Sequence, residues 1–230
     1  MSIVNCQVHS LEPLTEFVYK ALLKPEQKID FLPGQYLNFI MSEDDKRSFS
    51  IASAPENELI ELQIGAFNAD SYPMQVIERI QANNQVQIEI PLGSAYLRPS
   101  ERPLLLIAGG TGFSYIKSIF EQLVHQNSKR KVIVYWGLRQ ESAGYELEKT
   151  QATISKLKDS EFYPVIENPS ESWQGKTGIV HQVVMDDIED LSIYDIYLAG
   201  RFDMVGIVRT DFVSKGALID HMYADAFAFI

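Results

Sequence analysis

Cysteine is almost missing from this chain: Cys6 is the only one in 230 residues. That excludes an intrachain disulfide and any iron–sulfur cluster held by this chain's own thiolates. Histidine is scarce as well. The four (His9, His125, His181, His221) share no His-x-x-x-His spacing and no carboxylate company of ligand type, so no metal site is expected. No apolar run approaches the roughly 20 residues of a membrane span. The first residues, MSIVNCQVHS, carry neither a basic leader nor an apolar signal core, which makes a reducing cytoplasm the expected compartment. Positive charge is the remaining shortage: 20 Lys and Arg stand against 31 Asp and Glu, a net charge of −11. Such a field repels nucleic acid and anionic membranes, and no basic stripe offsets it. A phosphate-bearing ligand must then be attracted locally, by a helix N-terminus, peptide N–H groups and one or two arginines.

Two familiar motifs are missing too. No Gly-x-Ser-x-Gly elbow supports a serine hydrolase. Gly175-Lys176-Thr177 invites a P-loop reading, but the glycine required five positions before Gly175 is Ser170, so this stretch is expected to be a loop.

What is present falls into two rhythms. Through the first hundred residues, short alternating runs are separated by turn residues. Strands are expected at 3–8, 17–23, 35–41, 47–51, 59–64 and 86–90, with one helix at 72–82. From Pro103 onward strands alternate with helices: strands at 104–108, 132–136, 162–166 and 193–199, and helices at 113–125, 145–158, 179–185 and 204–215. A last apolar run, 223–230, is expected to form a terminal strand. The pattern predicts an N-terminal antiparallel Greek-key β-barrel (1–99) followed by a doubly wound parallel-sheet nucleotide-binding domain (100–230).

The sharpest local signal is Gly109-Gly110-Thr111-Gly112, set between an apolar strand and a helix. This arrangement turns backbone N–H groups and the positive helix end toward an anion. The full dinucleotide fingerprint is incomplete, because Tyr115 stands at the third glycine position, and a tight turn without a ligand is the bland alternative. Arg139 follows the second strand of this half, where an arginine accommodates a ribose 2′-phosphate and an acid would bind the 2′-hydroxyl. With Glu141 nearby, neither NADH nor NADPH is excluded, and a solvated arginine is the alternative. Ala199-Gly200-Arg201-Phe202-Asp203-Met204 repeats the strand-end, glycine, helix-start pattern, although Asp203 is equally a plain helix cap.

Taken together, Gly34-Gln35-Tyr36, Arg47-Ser48-Phe49-Ser50, Gly109–Gly112 and Gly200–Met204 resemble the ferredoxin–NADP reductase superfamily in order, spacing and layout. More closely, DKRSFSIAS, LIAGGTGFSY, VYWG, AGRFDM and the terminal DAFAFI resemble the bacterial NAD(P)H–flavin reductases that serve free flavins, including relatives that supply luciferases. The resemblance implies a flavin (FMN, riboflavin or FAD) used as a dissociable substrate and NADH or NADPH as hydride donor. It implies flavin contacts from Tyr36, Arg47, Ser48, Phe49, Ser50, Ile64, Gly65 and Ala66, with the Ser50 hydroxyl beside flavin N5. It also implies nicotinamide dinucleotide contacts from Gly109, Gly110, Thr111, Gly112, Phe113, Gly200, Arg201, Phe202 and Met204. Two departures stand out: Ala199 and Arg201 replace the cysteine and proline usual in the second loop, and Phe49 replaces a tyrosine. The terminal Phe227 and Phe229 are expected either near the flavin or buried in the last strand. Reduced flavin would pass to a monooxygenase, a luciferase or a ferric complex. Two rivals remain: a reductase that retains FAD and serves a separate protein acceptor, and a non-catalytic flavin- or nucleotide-binding subunit.

Overall fold

The computed structural model describes residues 1–68 and 70–230. Its first half holds β1 (Ser2–Pro13), β2 (Val18–Pro25), β3 (Tyr36–Ile40), β4 (Lys46–Ser50), β5 (Ile60–Gly65), α1 (Tyr72–Ala82) and β6 (Gln85–Leu92). These strands form one antiparallel sheet in the order β4-β3-β6-β1-β2-β5. The Ala52 N–H donates to the Glu61 carbonyl at 2.8 Å, which draws the β4 and β5 edges together into a barrel. Its interior is filled by residues such as Cys6, Leu23, Leu37, Phe39, Leu62 and Ile88. Helix α1 starts where Ser71 accepts a hydrogen bond from the Met74 N–H, and it buries Val76, Ile77 and Ile80.

The second half runs through β7 (Leu104–Gly109), α2 (Phe113–His125), β8 (Val132–Leu138), α3 (Leu147–Ile154), β9 (Ser160–Ile166), β10 (Lys176–Thr177), α4 (Val180–Asp187), β11 (Asp195–Ala199), α5 (Phe202–Ser214) and β12 (Met222–Tyr223). The sheet is parallel, in the order β10-β9-β8-β7-β11-β12. Its central strands are buried on both faces, as helices on both sides require. Leu104, Leu106, Val132, Val134 and Trp136 pack toward α2 and α3. Leu105, Ile107, Ile133, Ile196 and Leu198 pack toward α4 and α5. That split is the doubly wound arrangement. The strand order reverses between β7 and β11, and ligands of such sheets bind beyond the carboxyl ends at that point. Gly109 and Ala199 stand at those ends.

Three expectations are corrected. The helix expected at 145–158 is shorter at both ends: Glu146 adopts a positive φ of 51° that delays its start, and tighter turns from Thr153 to Lys156 and from Ile154 to Leu157 end it. The Gly175-Lys176-Thr177 loop contributes the two-residue edge strand β10, with Lys176 paired to Asp187 at 2.8 Å. The terminal strand expected at 223–230 is confined to Met222–Tyr223. The chain then makes a single 3₁₀ turn at Asp225–Ala228, and Phe229 is left 73% exposed. There Asp225 turns inward, its carboxylate set against Gly93. Among the described residues no helix is long and apolar enough to cross a membrane.

Candidate functional site

The glycine turn is built by close approach. Gly110 adopts φ +53° with open space where a side chain would sit, a conformation that favours glycine. A Cβ on Gly112 would lie 2.5 Å from the Ala199 carbonyl oxygen, so the turn presses directly on the loop after β11. Met204 fills the seam between them: its Sδ would be 2.5 Å from a Cβ on Gly109 and 2.7 Å from one on Gly200. The two glycine stretches thus form one continuous surface at the switch point. Trp136 anchors it from below. Its Nε1–H donates to the Gly110 carbonyl at 2.9 Å, and its ring stacks on Phe113 with centroids 3.9 Å apart. No side chain caps the N-terminus of α2, which leaves that end to other partners.

The barrel meets the turn at β5. A Cβ on Gly65 would stand 2.9 Å from Thr111 Cγ2, so only a glycine lets the turn come this close. Gly34 abuts the Tyr115 ring of α2 in the same way, at 3.1 Å. Tyr36, two residues after Gly34, faces Ser50 across the β3–β4 ladder. Strand alternation places Ser48 and Ser50 on one face with Tyr36 and Asn38, and Arg47 and Phe49 on the other with the buried Phe39 and Leu37. The Arg47–Ser50 segment therefore does not present its four side chains to one surface. Ser48 Oγ donates to Asn38 Oδ1 at 2.8 Å. Ser50 is half-buried, and its hydroxyl is bonded to no side chain or carbonyl among the described residues.

Arg47 is already engaged. Four of its five N–H donors are used: two by Asp45 at 3.0 and 2.7 Å, one by the Tyr72 carbonyl at 2.6 Å, one by Gln75 at 2.8 Å. The guanidinium also stacks on the Tyr72 ring at 4.6 Å. The Arg47 hydrogen bond and charge hold the Asp45 carboxyl below its usual range. Neighbouring Lys46 is likewise paired, with Glu89 at 2.9 Å.

Other expected contacts divide clearly. Ile64 and Ala66 are core residues of the barrel and Phe113 belongs to the core beneath the sheet, so only their backbones border the seam. Arg139 lies exposed just after β8, as its position predicted. Arg201 is exposed and pairs with Asp203 through two of its five N–H donors, while Phe202 is exposed and meets Phe229 edge-on at 5.7 Å. Phe227 packs beside the α4–α5 core under the Arg209 guanidinium. Two surface depressions lie elsewhere, one behind the barrel around Ile40, Met41 and Arg79, the other along α5 around Phe202, Ile207 and Ile230.

The sequence alone did not mark Asp45 or Asp225. Burial pushes the Asp225 carboxyl up to about 6, against the pull of the Ser94 and Ala95 hydrogen bonds. Its Oδ1 would stand 2.9 Å from a Cβ on Gly93, next to the Tyr36 ring. The signal was an acid inside an otherwise apolar terminal run.

Known proteins resemble the chain along its whole length. A family model for an oxidoreductase NAD-binding domain matches residues 106–210. An NAD(P)H-flavin reductase of Vibrio harveyi is 45% identical, with 99% of each chain covered. One of Aliivibrio fischeri is 42% identical over the same shares. Among solved structures, the ferredoxin reductase in carbazole 1,9a-dioxygenase superposes with a TM-score of 0.86 at 26% identity, over 98% of this chain and 69% of that one. A ferredoxin NADP⁺ reductase from Neisseria gonorrhoeae with bound FAD and NADP shares the fold, with a TM-score of 0.79 at 16% identity over 95% and 94%.

Proposed function

Because the chain belongs to the NAD(P)H–flavin reductase family, we propose that it moves a hydride from NADH or NADPH to a free flavin (riboflavin, FMN or FAD), bound as a dissociable substrate where the barrel meets the glycine turn. The observation that carries this reading is the contact of Gly65 with Thr111, which makes one seam of the β4–β5 barrel edge and the switch point of the parallel sheet. Residues 1–99 then act as the flavin-binding domain and 100–230 as the nicotinamide-binding domain.

When bound, the nicotinamide supplies hydride from C4 and the flavin receives it at N5, so the redox chemistry belongs to the ligands. The chain's share is placement. Ser50, with its uncommitted hydroxyl on the Tyr36 face, offers the hydrogen bond at N5. Gly109, Gly110, Thr111 and Gly112, with the start of α2, offer peptide dipoles to the dinucleotide phosphates. Gly200 and Met204 close the other wall of that cradle. Arg139, exposed beyond β8, is available to a 2′-phosphate and makes NADPH acceptable beside NADH. Nothing in this scheme asks a side chain to act as acid or base on a carbon. A cytoplasmic location, and delivery of reduced flavin to a monooxygenase, a luciferase or a ferric complex, belong to the same proposal.

One assay tests it. Dialysed protein that elutes colourless from gel filtration should oxidise NADH only when riboflavin or FMN is added. Protein that stays yellow and turns over without added flavin would instead be a reductase that retains FAD. Absence of NADH oxidation under both conditions would leave a binding subunit.

A further inference from the structure

The face that α2 turns toward the barrel is polar and buried, and each of its side chains reaches a partner. Ser114, Lys117, Ser118 and Gln122 are each no more than 5% exposed, and Glu121 lies beside them. They recur every three or four residues and so form one stripe. Ser114 donates to Gln63 at 3.2 Å. Lys117 Nζ lies 2.9 Å from Glu61, 2.7 Å from Glu121 and 3.4 Å from the Ala52 carbonyl. Ser118 donates to the Ser53 carbonyl and Gln122 to Glu56, both at 2.8 Å. Glu61 is held in turn by Gln63 at 2.9 Å. Burial alone would push the Lys117 ammonium down, yet Glu61 and Glu121 keep it above its ordinary value, so it stays charged.

The barrel partners of this stripe fall in two short segments. Ala52–Glu56 begins two residues after Ser50, and Glu61–Gln63 ends two residues before Gly65. The stripe itself stands on the helix that grows out of the glycine turn. One cation therefore measures the offset between the strand that carries Ser50 and the turn that carries Thr111, while touching neither.

We propose that Lys117 is a positioning residue for hydride transfer: its ammonium, clamped between Glu61 and Glu121, fixes the register of the barrel against the nicotinamide turn. Apolar contacts alone fix register less sharply, because they are non-directional. A buried, hydrogen-bonded charge admits one register, and fixing register is the best-attested use of such pairs. Transfer between two stacked rings is sensitive to offset, so a small slip costs rate before it costs binding. The inference rests on the flavin-reductase reading above.

The experiment is stopped-flow reduction of riboflavin by NADH and by C4-deuterated NADH. Lys117→Met combined with Glu61→Gln removes the clamp without leaving Glu61 charged. The hydride-transfer rate per folded molecule should fall by about tenfold or more, with the isotope effect on kcat increased, while both KM values change by less than about threefold. Lys117→Arg should restore the rate to within about threefold of the parent. A folded double variant with the parental hydride-transfer rate overturns the proposal and leaves Lys117 a residue of stability alone. Should the double variant not fold, Glu61→Asp keeps both charges and shortens one arm of the clamp, and an unchanged rate there overturns it equally. A parent protein that never oxidises NADH with riboflavin defeats the flavin-reductase reading instead, before any variant is compared.

Discussion

At the scale of single residues, Ser50 and Asp45 carry the clearest consequences. Ser50 shares its face with Tyr36 and has its hydroxyl free, whereas Ser48, two positions earlier on the same face, is already bonded to Asn38. Ser50→Ala should therefore lower kcat by about tenfold or more and change the KM for NADH by less than about threefold, because the hydroxyl serves the reacting atom and not the dinucleotide. Steady-state kinetics with parental kcat would remove Ser50 from the reaction. Asp45 sets what Arg47 is able to offer. With four N–H donors already taken, the guanidinium has little left for a flavin phosphate, and Asp45 adds a like charge to any incoming phosphate. Asp45→Asn should raise kcat/KM for FMN relative to riboflavin by about three- to tenfold. An unaltered FMN:riboflavin ratio would mean that the phosphate does not meet this arginine.

At the scale of elements, β5, α2 and the C-terminal segment each differ from what their own pattern suggests. LIELQI alternates as a half-exposed strand would, yet β5 is buried on both faces, since Glu61 and Gln63 point into the domain interface. On α2 the apolar positions Ile116, Ile119, Phe120 and Leu123 were legible, but the opposite polar stripe has no exposed counterpart to distinguish it in sequence. The C-terminal segment buries Asp225 against Gly93, and its protonation gives a sign that can be checked. Its folded carboxyl titrates at about 6 because of burial, whereas an unfolded aspartate titrates near 3.9. The folded state thus holds the proton more tightly, and stability falls as pH rises from about 4 to about 6. Unfolding free energies of the parent from urea titrations should drop between pH 4 and pH 7, by roughly 1–3 kcal/mol from this group. In Asp225→Asn that part of the drop should vanish, because an amide carries no titrating proton. Parallel pH profiles for the two proteins would show that Asp225 does not titrate in this window.

At the scale of the whole molecule, two sheets are joined by contacts that are polar and buried at once. Lys20 of β2 adds a second tie, to Glu146 at 3.2 Å, and Gln63 is shared by Ser114 and Tyr145. Val18 and Ala95 of the first half are buried in one apolar cluster with Phe113, Tyr115 and Tyr197, so separating the halves would expose shared core and they should unfold together. Both tryptophans, Trp136 and Trp173, lie in the second half, whereas far-ultraviolet circular dichroism reports on both. Urea transitions by tryptophan fluorescence and by circular dichroism should coincide. A dichroism transition that begins at clearly lower urea would show a barrel that melts alone.

Periodicity and punctuation, read from the residues in order, determined that a barrel of short antiparallel strands precedes a parallel sheet, and where the glycine turn and the Arg47–Ser50 strand lie along the chain. Both are local properties: side-chain period sets strand or helix, and glycine spacing sets the turn. Only the tertiary structure decided which polar residues face protein instead of water. Glu61, Gln63 and Lys117 are separated by up to 56 positions and look like ordinary solvated groups one at a time. Asp45 closing on Arg47 and Asp225 settling against Gly93 are decisions of the same kind. Partners that meet across sequence distance leave no periodic trace, because the energy that pairs them exists only once both halves have folded.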